Sequence, residues 1–470
     1  MQAFSHVSAP RIGTLFSFDW DRLGFARTGA RCDRAGFDLF SFPDNVRLAR
    51  FDLQRFADGQ ARRGRRRGWQ GVVSHHEQFG ALAAALVAEQ LGLPGNPPEA
   101  VLRCQHKLLA RELLQQVAPE ANLPYALLQA AYGCPPPQDL VYPLYAKPVK
   151  AAFSVLARPV RSAAELAAHT RFGRRELWVI RHLEEPFERV CRQRLPQAPS
   201  AHRLLLEAPV PPHVPQYNLD GWVHEGQVHL LGVVDAVMVP GTQAFMRWDL
   251  PSRLPAPVQQ RALHVARRFL QAAGFRQGLF NMEFFHDPAS DRLTVIEFNP
   301  RLASQFSDLY LRTTGRDPHA MSVALALGRD PRTLPRAAPV AAAAASLVYR
   351  AFDAAQVPPM PTASQRARWQ GTFPDGLLMC MPKHGRALKR DLKWLGSHRY
   401  GVVHLHGRDA AELRARAEAA SALLGWPAPY ASPGCLPAES GPGTAALPGV
   451  GSAVWSGAWT AALPRGTGSR

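Results

Sequence analysis

The segment from Asn281 to Arg301, Asn-Met-Glu-Phe-Phe-His-Asp-Pro-Ala-Ser-Asp-Arg-Leu-Thr-Val-Ile-Glu-Phe-Asn-Pro-Arg, carries Glu283 and Glu297 on opposite arms of an otherwise apolar hairpin. Asp287-Pro288-Ala289-Ser290-Asp291 is turn chemistry between two strands. Folding the chain about Ser290 sets Glu283 beside Glu297, because both lie equally far from it. Side chains two apart share a strand face, so Asn299 joins Glu297 there. Opposed carboxylates on a sheet repel unless a cation lies between them. Two carboxylates and an amide oxygen suit Mg2+, with Mn2+ as the alternative, since magnesium takes few protein ligands and completes its shell with phosphate and water. The competing reading is a solvated face with two surface acids, backed by Met282, Phe284, Ile296 and Phe298. A slip of one residue, or a bulge, is expected to separate the pair.

Lysine is scarce, at six residues against forty-nine arginines, so each lysine position is informative. Lys147 lies inside the apolar run Tyr142-Pro-Leu-Tyr-Ala-Lys147-Pro148-Val149, where an ammonium must reach water or meet an anion. Lys107 stands on a helical stretch, where a solvated surface role is the commoner one. Together the two lysines can neutralise a triphosphate without a P-loop, and the chain has no G-x-x-x-x-G-K-[ST]. Arg301, two residues past Asn299, is placed to meet a carboxylate or a transferring phosphoryl oxygen.

These groups need strands and helices to hold them. Gly71 to Ser74 reads as a strand ending at His75-His76-Glu77, and Phe79 to Leu91 as a helix stopped by Gly92. Strand, polar turn and helix make the unit of a parallel α/β sheet. Residues 101 to 117 read as one helix carrying Lys107 and Arg111. Ala163 to Thr170 is a short helix, Leu204 to Glu207 a strand, and 218 to 238 a hairpin turning at Glu225-Gly226. Val258 to Ala273 is an amphipathic helix, and Ala410 to Leu424 a clear one within a stretch otherwise of strands. The His75-His76 pair is left without a role.

A chain of 470 residues divides into several cores. The expected class is α/β and α+β multidomain. Residues 1–100 form an α/β domain and 101–335 a two-lobed domain, with lobes at about 101–200 and 201–335. Residues 336–427 form a small α+β domain, and 428–470 a disordered Gly/Ala/Pro tail. No apolar run is long enough for a membrane span. No secretory signal opens the chain, and the six scattered cysteines fit a reducing cytoplasm, so a cytoplasmic location is expected. The net charge of +18 and the Arg62–Arg67 run (Arg-Arg-Gly-Arg-Arg-Arg) raise nucleic acid as a partner. Without interleaved aromatics or a reading motif, arginine on solvated faces is the simpler explanation.

The order of pieces resembles the ATP-grasp superfamily over roughly residues 65 to 330. An α/β pre-domain is followed by a helix with a lysine, a strand ending in Lys147-Pro148, a strand ending in Glu207, and a hairpin closing in Glu297-Phe-Asn-Pro-Arg301. Within the superfamily it is most similar to the biotin-carboxylase-like and carboxylate–amine ligase branch. That resemblance implies ATP as a substrate, with Lys107 and Lys147 on its phosphates and Ser154 in the phosphate flap. Glu207, Ala208 and Val210 would form the hinge along the adenine, and Gln216 would stand near the ribose. Glu283, Glu297 and Asn299 would hold magnesium, and Arg301 would meet the reacting carboxylate. The implied reaction joins a small-molecule carboxylate to an amine through an acyl phosphate, releasing ADP and phosphate. A bicarbonate-activating enzyme and a non-catalytic nucleotide-binding scaffold are the alternatives, and a homodimer is left open. The flap stretch Lys150-Ala-Ala-Phe-Ser154 departs from relatives in having no glycine.

Overall fold

A computed structural model describes residues 9–37, 48, 50–129, 135–151, 156–242 and 244–429. Ser154 and residues 430–470 of the expected tail lie outside the described residues.

Among the described residues, three sheets organise the chain. The first is parallel, in the order β2-β1-β3, from β1 (Arg11–Leu15), β2 (Arg31–Ala35) and β3 (Gly71–Val73). Helices Leu53–Arg67 and Gly80–Leu91 pack on it, joined in one core by Trp69, Phe79, Leu82 and Leu86. Gly13 of β1 lies under the Trp69 ring, so closely that a Cβ there would stand 2.4 Å from it. The second sheet is antiparallel, in the order β4-β7-β5-β6, from β4 (Tyr125–Leu127), β5 (Leu144–Pro148), β6 (Arg158–Val160) and β7 (Leu204–Glu207).

The third sheet has eight strands in the order β12-β11-β8-β9-β10-β13-β15-β14. These are β8 (Gln216–His224), β9 (Gln227–Met238), β10 (Phe245–Leu250), β11 (Gly278–Asp287), β12 (Arg292–Asn299), β13 (Ala343–Ala351), β14 (Leu377–Cys380) and β15 (His398–Gly407). The strands of the C-terminal α+β region therefore extend the central sheet, through β13 beside β10. They also build a separate core with Trp369, Tyr400 and Trp426 under helix Ala410–Leu424.

The stretch 101–117, expected as one helix, is two: Pro98–Gln105 and Lys107–Val117. His106 between them is extended at φ −84° and ψ 97°, and its ring caps the second helix by accepting from the Leu109 N–H. Its other ring nitrogen lies 2.9 Å from the Pro199 carbonyl. Burying a polar ring there costs little because both nitrogens are satisfied. The break makes Lys107 the first residue of a helix, and its backbone N–H bonds to the Val149 carbonyl just past β5.

The Arg62–Arg67 run ends helix Leu53–Arg67, where cations favour the dipole. Arg67 forks onto Asp33, Arg65 donates to the Gln90 carbonyl, and Arg63 lies over Trp69. Much of the run thus fastens the N-terminal layer to itself.

Candidate active site

The hairpin of β11 and β12 is in the register that places Glu283 opposite Glu297. Its outer half pairs Asp287 with Arg292 and Phe284 with Val295; continued unbroken, that register would set Glu283 against Ile296. A bulge between Glu283 and Phe284 takes up Ile296 and brings Glu297 across instead. The irregularity expected to part the two acids is what joins them. Asn299 Nδ2 lies 3.4 Å from Glu283 Oε1, and Gln216 Nε2 donates to Glu283 Oε2 at 3.0 Å. Gln216, expected near a ribose, thus stands against the carboxylate pair.

The bulge is fixed from the neighbouring helix. Arg111 donates to the carbonyls of Val295 at 2.7 Å and Ile296 at 3.0 Å, to Asn122 Oδ1, and to Glu207 Oε1 at 2.7 Å. The other oxygen of Glu207 holds Lys147 Nζ at 2.9 Å, and that ammonium also lies 3.4 Å from the Ile296 carbonyl. All three charges are buried. A buried ion pair is tolerable only with its remaining donors and acceptors satisfied, as they are here. Ala208, beyond Glu207, continues the pairing by donating to the Pro124 carbonyl, and Val210 follows in a half-buried connection.

Lys107 Nζ faces Glu297 Oε2 at 3.4 Å and donates to the Ala151 carbonyl at 2.8 Å. Arg301 Nε donates to Glu77 Oε2 at 3.0 Å, so the loop after β3 reaches this site. Glu77 also meets Lys150, whose Nζ lies 3.8 Å from Oε1 and 3.2 Å from the Glu77 carbonyl, and Gln105 donates to both kinds of oxygen. From sequence, Lys150 figures only in the flap stretch, and Glu77, in the loop after a strand, is left unassigned. Two signals were available: Lys150 is one of only six lysines, three residues from Lys147, and Glu77 ends the loop at the carboxyl end of a parallel strand.

Four carboxylates thus meet five cations in one cluster, and their electrostatics differ. Burial, then the charge of Glu297, pushes the Glu283 carboxyl up to about 8. Burial would raise Glu297 too, yet Lys107, Lys147 and Arg301 hold it below the usual carboxylate range. Burial also acts against Glu207, which Arg111 and Lys147 keep low. Lys150 is pushed down to about 8, mainly by burial, against the pull of Glu77. A proton on Glu283 is the electrostatic substitute for a cation between the acids. Glu283, Glu297 and Asn299 are therefore a donor set into which a hard divalent ion fits.

This arrangement has a measurable consequence. The Glu283 carboxyl is raised above its ordinary 4.5, so its contribution to stability is full below that value and is lost as pH rises through about 8. In EDTA the melting temperature is expected to fall between pH 6 and 9. Glu283→Gln should flatten that fall, and Mg2+ should offset it most at the alkaline end. A wild-type profile with EDTA that Glu283→Gln leaves unchanged would refute the proton on Glu283.

Behind Arg301 lies a cavity of ≈ 90 Å³, bordered by Ser74, His75, Asn96, Gln277 and Ser322. Asp21 Oδ1 accepts from His75 at 2.8 Å and from His319 at 3.0 Å, and His75 Nε2 lies 2.8 Å from Ser322 Oγ. This buried chain ties the N-terminal sheet to helix Pro318–Ala326 beside the cavity.

No family model matches the chain. Among curated proteins, carnosine synthase 1 of Gallus gallus is 29% identical over 270 residues, which is 54% of this chain and 27% of that protein's length. The structure is similar to the L-amino acid ligase of Bacillus licheniformis, with TM-score 0.63 and 15% identity over 88% of this chain and 97% of that one. It is also similar to the carboxyaminoimidazole ribonucleotide synthase of Aspergillus clavatus, solved with ATP, at TM-score 0.59 and 14% identity over 89% and 98%. The biotin carboxylase of Campylobacter jejuni follows at TM-score 0.56 and 13% identity over 88% and 91%.

Proposed function

On the ATP-grasp fold that these likenesses establish for the chain, we propose an ATP-dependent ligase that joins a small-molecule carboxylate to an amine. The observation that carries the reading is Glu283 opposite Glu297, with Lys107 against Glu297 and Lys147 against the bulged Ile296 carbonyl. Glu283, Glu297 and Asn299 would hold magnesium, which when bound offsets charge on the nucleotide's phosphates. Lys107 and Lys147 rest on carboxylates and are positioned to exchange them for phosphate oxygens. Ala208 and Val210, after Glu207, would line the adenine, and Ser154 would donate to the phosphates from the flap.

The substrate carboxylate attacks the terminal phosphorus and ADP leaves. The amine then attacks the acyl carbon, phosphate leaves, and the amine's proton passes to solvent. Arg301 binds the carboxylate, as it binds Glu77 here, and stabilises oxygens that gain charge as the acyl phosphate forms. Catalysis of this kind needs positioned charge more than a nucleophilic side chain. The name of the Bacillus licheniformis enzyme favours an amino acid among the substrates.

The test is release of ADP and phosphate with Mg2+ against pools of carboxylates and amines, with amino acids first. Release that requires one carboxylate and one amine together is the expected result. A requirement for bicarbonate would point to a carboxylase, and nucleotide binding without turnover in any pool would leave a scaffold.

A further inference from the structure

Behind the carboxylate pair, four neighbouring strands line up polar groups in register. Asn299 of β12 is opposite Asn281 of β11, Asn281 is opposite Asp220 of β8, and Asp220 is opposite Gly232 of β9. Asn299 Nδ2 donates to Asn281 Oδ1 at 3.2 Å, and Asn281 Nδ2 donates to Asp220 Oδ1 at 3.0 Å. The Tyr310 hydroxyl donates to Asp220 Oδ2 at 2.8 Å, its ring lying over Gly232, where an added Cβ would stand 2.7 Å away. Asp220, Asn281 and Asn299 are at most 2% exposed.

We propose that Asp220 is a positioning residue that sets which way the Asn299 amide faces, and so determines how tightly the site holds its divalent ion. The inference rests on the ligase reading given above. With Asn281 and Tyr310 both donating to Asp220, Asn281 turns its NH2 toward Asp220 and its carbonyl toward Asn299. Asn299 must then spend its NH2 on Asn281, at 3.2 Å, and on Glu283 Oε1, at 3.4 Å, which leaves its carbonyl oxygen as the atom held by neither. Oxygen is the atom that a hard cation takes. An amide chain without the carboxylate could run in either direction, and the reversed one would put the NH2 where the carbonyl oxygen now lies. Gly232 is what admits Tyr310, whose hydroxyl keeps Asp220 in place.

Asp220→Asn keeps the shape but gives position 220 both a donor and an acceptor. Binding of Mn2+ to the ADP-loaded protein, followed by electron paramagnetic resonance, reads the ion without any turnover. Outer partners of metal ligands typically set affinity by about 10- to 100-fold, so Asp220→Asn is expected to weaken Mn2+ by at least about tenfold. Tyr310→Phe, which removes one donor and keeps the ring, should weaken it severalfold, and it serves if Asp220→Asn fails to fold. Mn2+ affinity within twofold of wild type in a folded Asp220→Asn, or in Tyr310→Phe where that variant stands in for it, overturns the proposal. Glu297→Gln is the control. If it too binds Mn2+ as wild type does, the carboxylate pair is not a metal site and the ligase reading fails; if only Asp220→Asn is unchanged, the relay alone fails.

Discussion

Glu297→Gln is expected to abolish ADP formation, by about a thousandfold or more, while leaving the fold and its melting temperature near those of wild type. The size follows from the loss of one preorganised charge at the centre of the proposed phosphoryl-transfer site, typically worth 10²- to 10³-fold for a single group and more where it also holds the ion. Glutamine keeps an acceptor for Lys107, which lies 3.4 Å away, so the packing survives. Removing this charge also relieves Glu283, whose carboxyl is held up in part by Glu297. Initial-rate measurement of ADP release at saturating Mg2+ checks it, and a rate equal to wild type would defeat the assignment of the pair.

The second large effect is on stability. Arg111→Leu should cost about 3–5 kcal/mol, the usual result of removing one partner from a buried, hydrogen-bonded ion pair. The variant strips Glu207 of one of its two cations and leaves the carbonyls of Val295 and Ile296 without this donor. Arg111→Lys should rescue little, because a single ammonium cannot reach acceptors that the guanidinium fork spans at once. Urea unfolding measures the change. A midpoint unaltered in Arg111→Leu would show that the bulge does not depend on this residue.

Much of this site could be read from residue order. The hairpin turn, the acid pair and Asn299 follow from counting outward from Ser290, and Leu204–Glu207 is a strand with the bounds its apolar run suggests. Other features leave no local trace. The bulge at Ile296 reflects the mismatch between a turn that pairs Asp287 with Arg292 and the acids beyond it. Hydrophobic alternation does not reveal such a mismatch. The helix break at His106 depends on a carbonyl contributed by Pro199, far along the chain. Glu77 was visible as a polar residue after a strand, but its link to Arg301 spans more than two hundred residues. Asp220 and Asn281 look like ordinary strand polar residues until three strands are set side by side.

The strand that carries Glu297 is also one of the two edge strands of the eight-stranded sheet. An outermost strand offers unpaired backbone groups to any passing chain, a familiar route to aggregation. Here the carbonyls of Val295 and Ile296 are already taken by Arg111, and Asn122 covers the beginning of the strand by accepting from Arg292. The guanidinium that shapes the site therefore doubles as a solubility guard, blocking the backbone positions where a second molecule would otherwise attach.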